Sequence, residues 1–337
     1  MAQHIHEHIQ LQHGTPDVND FAEYNRENLV AWDEMAGEWE TNQVTVTQPT
    51  SASVNGQNIT TSDNGQNVTA SDSGQIATAI TRSSSGIQDD DGNDMFTQCL
   101  LPRVEELAEW KAGETVLDLG AGNGILGRMF ARKGAHVTGL DFSEKMMARG
   151  HERDVRENLD HRITYDRIDL MDFDQMANYM QGKEKFDIVT CSTTLKSLPS
   201  LQPIARALPL MLKPNGRIVI VDLHPAFSKP AGHRGMELYE DGNTGQQILS
   251  TYIKVPKYLN IKPSKSEAVR GQPKPLWVFH RPFWSLMQPF FDNKLVLDAM
   301  REPAFQGQPV LQQAQSYHNF QQTPMLLAFR LRHADRT

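Results

Sequence analysis

The sequence predicts a doubly wound α/β domain with a mostly parallel sheet, and three observations carry that expectation. Apolar runs that read as strands begin near residues 115, 135, 163, 186 and 217, and segments with helical spacing near 125, 143, 173 and 201 alternate with them. The first strand, Thr115 to Leu119, runs directly into Gly120, Gly122 and Gly124, where the backbone can turn tightly against a ligand. Ile125 to Lys133 then reads as a helix stopped by Gly134, and Ala135 to Leu140 as a second strand ending in Asp141. An acidic side chain at that strand end can accept both hydroxyl hydrogens of a ribose. Ahead of this unit, Met95 to Trp110 reads as a helix leading into the first strand.

Two ligand classes use such a strand, turn and helix. A dinucleotide fingerprint is G-x-G-x-x-G, with the helix N-terminus aimed at a pyrophosphate. Gly127 completes a G-x-x-G with Gly124, so a nicotinamide dehydrogenase is one reading. Asp118, however, sits two residues before the G-x-G-x-G loop. A carboxylate there repels a pyrophosphate and favours the cationic amino end of S-adenosylmethionine.

Val116 to Gly124 is similar to the glycine loop of the class I S-adenosylmethionine-dependent methyltransferases, and Leu140-Asp141 to their ribose-binding strand end. Ile168-Asp169-Leu170 resembles the segment after the third strand, Phe186 to Cys191 the fourth strand, and Leu212 to Arg217 with Ile218 to Asp222 the turn and fifth strand. The resemblance covers residues 92 to 332, with a weaker match at 20 to 40. It implies a seven-stranded Rossmann-like sheet closed by an antiparallel hairpin. Phe283 to Phe291 reads as the helix before that hairpin, and Leu295 to Met300 and Met325 to Arg332 as its strands.

The same resemblance implies a cofactor, S-adenosylmethionine, and a site of small-molecule methyltransferase type. Asp118 and Gly120 should flank the methionine part, with Ala121, Gly122 and Asn123 completing the loop, and Asp141 should bind the ribose. Asp169 with Leu170 should meet the adenine; Asp166 or Asp172 takes that place if the third strand ends elsewhere. Phe142 and Met146 either pack on the adenine or belong to the core. Cys191-Ser-Thr-Thr-Leu195 occupies the carboxyl edge of the sheet, where open α/β folds place ligands, so Cys191 should touch the cofactor through its backbone. With no activating charge adjacent in sequence, it is a wall residue rather than a nucleophile.

Methyl transfer from a sulfonium is an in-line displacement with a good leaving group, so alignment and exclusion of water are the main tasks. A base is needed only for a nucleophile that holds its proton tightly. His224, in Val-Asp-Leu-His-Pro, and His280, in Val-Phe-His-Arg-Pro, are the candidates, because imidazole suits that proton transfer. The bland alternative is that each histidine caps a strand end.

Outside the domain at 91–337, the chain divides by composition. Residues 1–18 form a polar tail whose His4, His6, His8 and His13 lack the Cys or carboxylate companions of a closed metal site. At 19–40, Phe21, Tyr24, Leu29, Trp32, Met35, Ala36 and Trp39 recur at helical spacing, a cap helix in which Tyr24 and Trp39 are candidates to line the pocket. Residues 41–90 are rich in Ser, Thr, Asn, Gln and Gly and carry a nine-residue repeat, at 55–63 and 64–72; they should be a disordered insertion. Pro, Gly and Lys crowd 224–280, which reads as an acceptor-side lid.

The 337 residues carry a formal charge of -8, with a pI near 5.8. That balance lacks the basic footprint of a nucleic-acid binder. Cys99 and Cys191 are the only cysteines, too few for a disulfide framework, and no apolar run reaches membrane-span length. A cytoplasmic enzyme with a small organic acceptor is therefore expected, with neither nucleic acid nor membrane as partner. The aromatic, Pro-rich stretch from Tyr252 to Trp284 suggests an apolar acceptor such as a secondary metabolite. The rival from another class is a non-catalytic, methyltransferase-like regulatory or scaffold protein that uses the insertion for partners.

Overall fold

The computed structural model describes residues 20–36, 53–54, 57–58, 93–268, 272–310, 313 and 316–335. The tail at 1–18, Trp39 and nearly all of the 41–90 insertion lie outside the described residues. Within that insertion, Ser53–Val54 pairs antiparallel with Gln57–Asn58.

Helix α1, Phe21–Met35, is amphipathic as its spacing predicts, and buries Asn28, Ala31 and Met35. The helix expected at 95 to 110 is not uniform. Met95–Leu100 winds as a π-helix and only Leu101–Ala108, α2, is α-helical. Pro102 explains the change: it lacks the N–H that would bond the carbonyl four residues back, and its ring crowds that carbonyl. The helix stops at Glu109 in a left-handed conformation, φ 47°.

The strands and helices that follow are β1 Thr115–Leu119, α3 Ile125–Ala131, β2 His136–Asp141, α4 Glu144–Arg156, β3 Ile163–Arg167, α5 Phe173–Tyr179, β4 Phe186–Ser192, α6 Gln202–Met211 and β5 Leu212–Leu223. The fifth strand begins earlier than the sequence suggested. Leu212 already pairs with Phe186, and the register shifts before Ile188 meets Arg217, so 213–216 are a bulge within the strand rather than a turn ahead of it. The excursion at 224–280 contributes two hairpins, β6 His233–Glu240 with β7 Gln247–Lys254 and β8 Ser264–Ser266 with β9 Leu276–Val278. Helix α7, Phe283–Asp292, leads to β10, Leu295–Arg301, and β11, Leu326–His333.

The seven-stranded sheet has the order β10-β11-β5-β4-β1-β2-β3. The strands from β5 to β3 are parallel; β11 and β10 close the edge antiparallel. Alternation along each strand feeds two cores. Leu117 and Leu119 of β1, with Ile218 and Ile220 of β5, face one layer of helices, whereas Val116, Val219 and Val221 face the other. From β1 the chain moves outward to β2 and β3, then returns to β4 on the other side. The carboxyl ends of β1 and β4 thus bound the crevice that a reversal of strand order creates.

Candidate active site

The site is built where β1 ends. Gly120 has φ 71°, in the left-handed region open to glycine, and a Cβ there would overlap the Thr194 side chain. The Gly120 and Ala121 N–H groups donate to the Leu140 carbonyl at 2.8 and 3.1 Å, folding the loop over the end of β2. Beneath it, the wholly buried Arg128 donates to the Asn123 carbonyl at 2.8 Å and to Asp154 at 3.2 Å. The Tyr165 hydroxyl donates to the other Asp154 oxygen at 2.8 Å.

A cavity opens above this loop. Asp118, Gly120, Ala121, Gly122, Asn123 and Asp141 line it, joined by Phe142, Met146, Asp169 and Leu170. Asp118 is buried, and Thr190 Oγ1 donates to it at 2.7 Å across from β4. Burial pushes its carboxyl up to about 7, against that hydrogen bond and with the charge of Asp141 adding to the rise. Asp141 accepts the Gly122 and Ser143 N–H groups, both at 2.8 Å. Burial nevertheless pushes it up to about 6, with Asp33 adding to the rise. Asp169 accepts Asn25 Nδ2 at 2.6 Å and the Met171 N–H at 2.8 Å. Asp166 and Asp172 are occupied elsewhere: the first accepts the Tyr179 hydroxyl at 2.6 Å, the second caps α5 through Gln175 N–H at 2.9 Å.

Helix α1 closes the cavity, with a face one residue away from the one expected. Asn25 and Trp32 line the space. Tyr24 instead packs on Trp277 and Phe279, with ring centroids at 4.7 and 5.5 Å. Asp33 accepts the Ser143 hydroxyl at 2.6 Å, tying the helix to the end of β2. The alternation of polar and apolar residues located this helix but not its rotation about its own axis.

At the end of β4 the cavity wall is Ser192, Thr193 and Thr194, not Cys191. Cys191 points into the core, with burial and neighbouring carboxylates holding its thiol well above the usual range. Thr193 adopts φ 51°, an outlier for a β-branched residue that clusters with function. Ser197 also lines the cavity, and its buried hydroxyl has no hydrogen-bond partner among the described residues. Neither histidine lines this cavity. His224 accepts the Ala226 N–H on Nδ1 at 3.2 Å, which leaves Nε2 to donate to Glu302 at 2.9 Å. His280 Nε2 donates to the Tyr258 carbonyl at 2.7 Å. Burial lowers the pKa of both rings. Each ring is thus held as a cap on a chain segment, the alternative that the sequence also offered, by hydrogen bonds to residues far off in sequence.

The cavity suits a ligand with a cationic end, hydroxyls and a flat apolar part. Its walls are mainly apolar, and its buried carboxylate Asp118 has no cationic partner among the described residues. Sheet order, glycine loop and the acidic ends of β1 and β2 are together those that the resemblance to the class I S-adenosylmethionine-dependent methyltransferases implies. Residues 110–259 match a family described as a methyltransferase domain. The chain is 37% identical over 111 residues to the ubiquinone biosynthesis O-methyltransferase of Pseudomonas paraeruginosa, covering 32% of this chain and 44% of that protein. It is 34% identical over 115 residues to the enzyme of the same name from Acinetobacter baumannii, covering 34% and 46%. The chain thus spans less than half the length of these curated relatives. An S-adenosylmethionine-dependent methyltransferase structure from Mesorhizobium loti shares the fold, with a TM-score of 0.50, 22% identity, and coverage of 72% of this chain and all of that one.

Proposed function

We propose that the protein transfers a methyl group from S-adenosylmethionine to an oxygen on a small organic acceptor. The observation that carries this reading is the pair of buried carboxylates, Asp118 and Asp141, at adjacent strand ends above a glycine loop and under a closing helix. When bound, the cofactor supplies an electrophilic methyl group on a sulfonium. Asp118 holds its cationic amino end, Asp141 its ribose hydroxyls and Asp169 the adenine amine, while Phe142, Met146 and Leu170 flank the ring. Helix α1 excludes water, so catalysis rests on alignment within a dry site. The names of the curated relatives support an oxygen acceptor, and the aromatic lid supports an apolar one such as a secondary metabolite.

Asp141→Ala tests the site. Its affinity for S-adenosylhomocysteine should fall by about 1.5–3 kcal/mol in calorimetry, the range for a hydrogen bond to a charged group. Unchanged affinity in a folded variant overturns the assignment, and tight binding of NAD in its place restores the dehydrogenase reading. Absence of methyl transfer despite normal cofactor affinity leaves the scaffold alternative.

Asp118 makes binding depend on pH. Its folded pKa, about 7, and that of Asp141, about 6, are raised. Their contribution to stability is thus whole below about pH 4, the unfolded value, and is lost as pH rises through 6 and 7. A cationic ligand favours the ionised Asp118, so binding should release a proton. S-Adenosylmethionine affinity should rise roughly fivefold to tenfold from pH 6 to pH 8, and Asp118→Asn should flatten that rise. A flat profile for the unaltered protein would sink this account of Asp118.

A further inference from the structure

Helix α1 is fixed over the cavity by side-chain contacts along its length. Buried Asn28 donates through Nδ2 to the Ser197 and Trp277 carbonyls at 3.0 and 3.1 Å and accepts the Trp277 N–H on Oδ1 at 2.7 Å, so its amide stands beside β9 as a neighbouring strand would. Glu27 accepts the Trp277 indole N–H at 2.8 Å and pairs with Lys265 at 2.8 Å, while Glu34 pairs with Lys274 at 2.6 Å. Asp33 adds its bond to Ser143 at the end of β2. Together these contacts set the rotation of α1. They turn Asn25 and, about two turns later on the same face, Trp32 to the cavity.

Asn25 differs from Asn28 in what it leaves open. Its Nδ2 donates to Asp169 Oδ2 at 2.6 Å, the one hydrogen bond of this side chain among the described residues. A carboxylate accepts and an amide nitrogen donates, so chemistry fixes which prong of the amide meets Asp169. The carbonyl oxygen Oδ1, on the other prong, keeps its capacity to accept. Asp169 is held in turn, since its second oxygen accepts the Met171 N–H at 2.8 Å and its own N–H donates to Gln175 Oε1 at 2.6 Å. Both residues line the cavity. Two acceptors, one from the sheet edge and one from the cover, thus border the same space.

We propose that Asn25 is a second reader of the cofactor's adenine, accepting through Oδ1 one hydrogen of the exocyclic amine whose other hydrogen goes to Asp169. This role rests on the methyltransferase reading of the same cavity and deepens it. The two hydrogens of such an amine diverge in the plane of the ring, so a single acceptor satisfies half of it. The bond to Asp169 holds the Asn25 amide in its accepting orientation before the ligand arrives, and the contact therefore costs little ordering. The helix that covers the cavity thereby distinguishes adenine from a purine without the amine.

The test compares two ligands on the full chain by calorimetry: S-adenosylhomocysteine and its analogue with unsubstituted purine in place of adenine. The unaltered protein should prefer the adenine ligand on the order of fiftyfold, the sum of a neutral hydrogen bond and one to a charged group. Asn25→Leu keeps much of the volume and removes Oδ1, and the preference should fall about fivefold. The same substitution frees an Asp169 oxygen, which strengthens Asp169 as an acceptor and by itself raises the preference. A fall therefore reports the lost Oδ1 contact. Asn25→Ala repeats the comparison, so a leucine variant that fails to fold leaves the test intact. A preference that is unchanged or larger in the folded variant, even where both affinities drop together, overturns the proposal and leaves Asn25 as a tether of α1. Equal binding of the two ligands by the unaltered protein overturns it as well. Failure of S-adenosylhomocysteine to bind the unaltered protein overturns the methyltransferase reading instead.

Discussion

Arg128→Met is expected to destabilise the protein by about 3–5 kcal/mol, the cost of removing one partner of a buried ion pair. Arg128 and Asp154 are both wholly shielded from solvent. Burial already holds the Asp154 carboxyl above its ordinary range, and the hydrogen bonds from Tyr165 and Arg128 oppose that rise. Methionine fills much of the volume yet leaves the Asp154 carboxylate to the Tyr165 hydroxyl as its donor among the described residues, and it releases the Asn123 carbonyl of the glycine loop. Urea denaturation gives the stability and calorimetry the cofactor affinity, which should fall in parallel because the loop loses its tether. Arg132→Met is the comparison: Arg132 pairs with Glu157 at 2.7 Å but is about one-third exposed, so it should cost about 1 kcal/mol or less. A loss in Arg128→Met no larger than in Arg132→Met would refute the role assigned to the buried network.

Gly120→Val is expected to abolish cofactor binding, a loss of at least about a hundredfold. Two effects add. A branched residue at φ 71° pays about 1–2 kcal/mol for a left-handed backbone, and its Cβ would overlap Thr194, so the end of β1 and the wall after β4 must part. Gly182 separates the two, because its φ is 72° but nothing lies within 4 Å of a Cβ there. Gly182→Val should carry the backbone strain alone and leave cofactor affinity unchanged. Comparable affinities in the two variants would mean that the Gly120 contact with Thr194 does not shape the site.

The sequence by itself determined the parts whose physics is local. Short apolar runs marked β1 to β4, glycine spacing marked the loop, and Asp118 and Asp141 stood out because each lies in or directly ends a strand. Asp169 was located to within one loop for the same reason. What remained depended on contacts distant in the chain. The rotation of α1, which brings Asn25 and Trp32 to the cavity and sends Tyr24 to the lid, is set by packing on β9, since one residue turns a helix face by about 100°. Arg128 reads in sequence as an ordinary helix cation; its burial exists because Asp154 on α4 and Tyr165 on β3 meet it under the loop. The roles of His224 and His280 were decided by Glu302 and the Tyr258 carbonyl. Periodicity reports which face of an element is apolar, whereas the partners of a buried polar group are chosen by tertiary packing, because only there must each desolvated donor and charge find its counterpart.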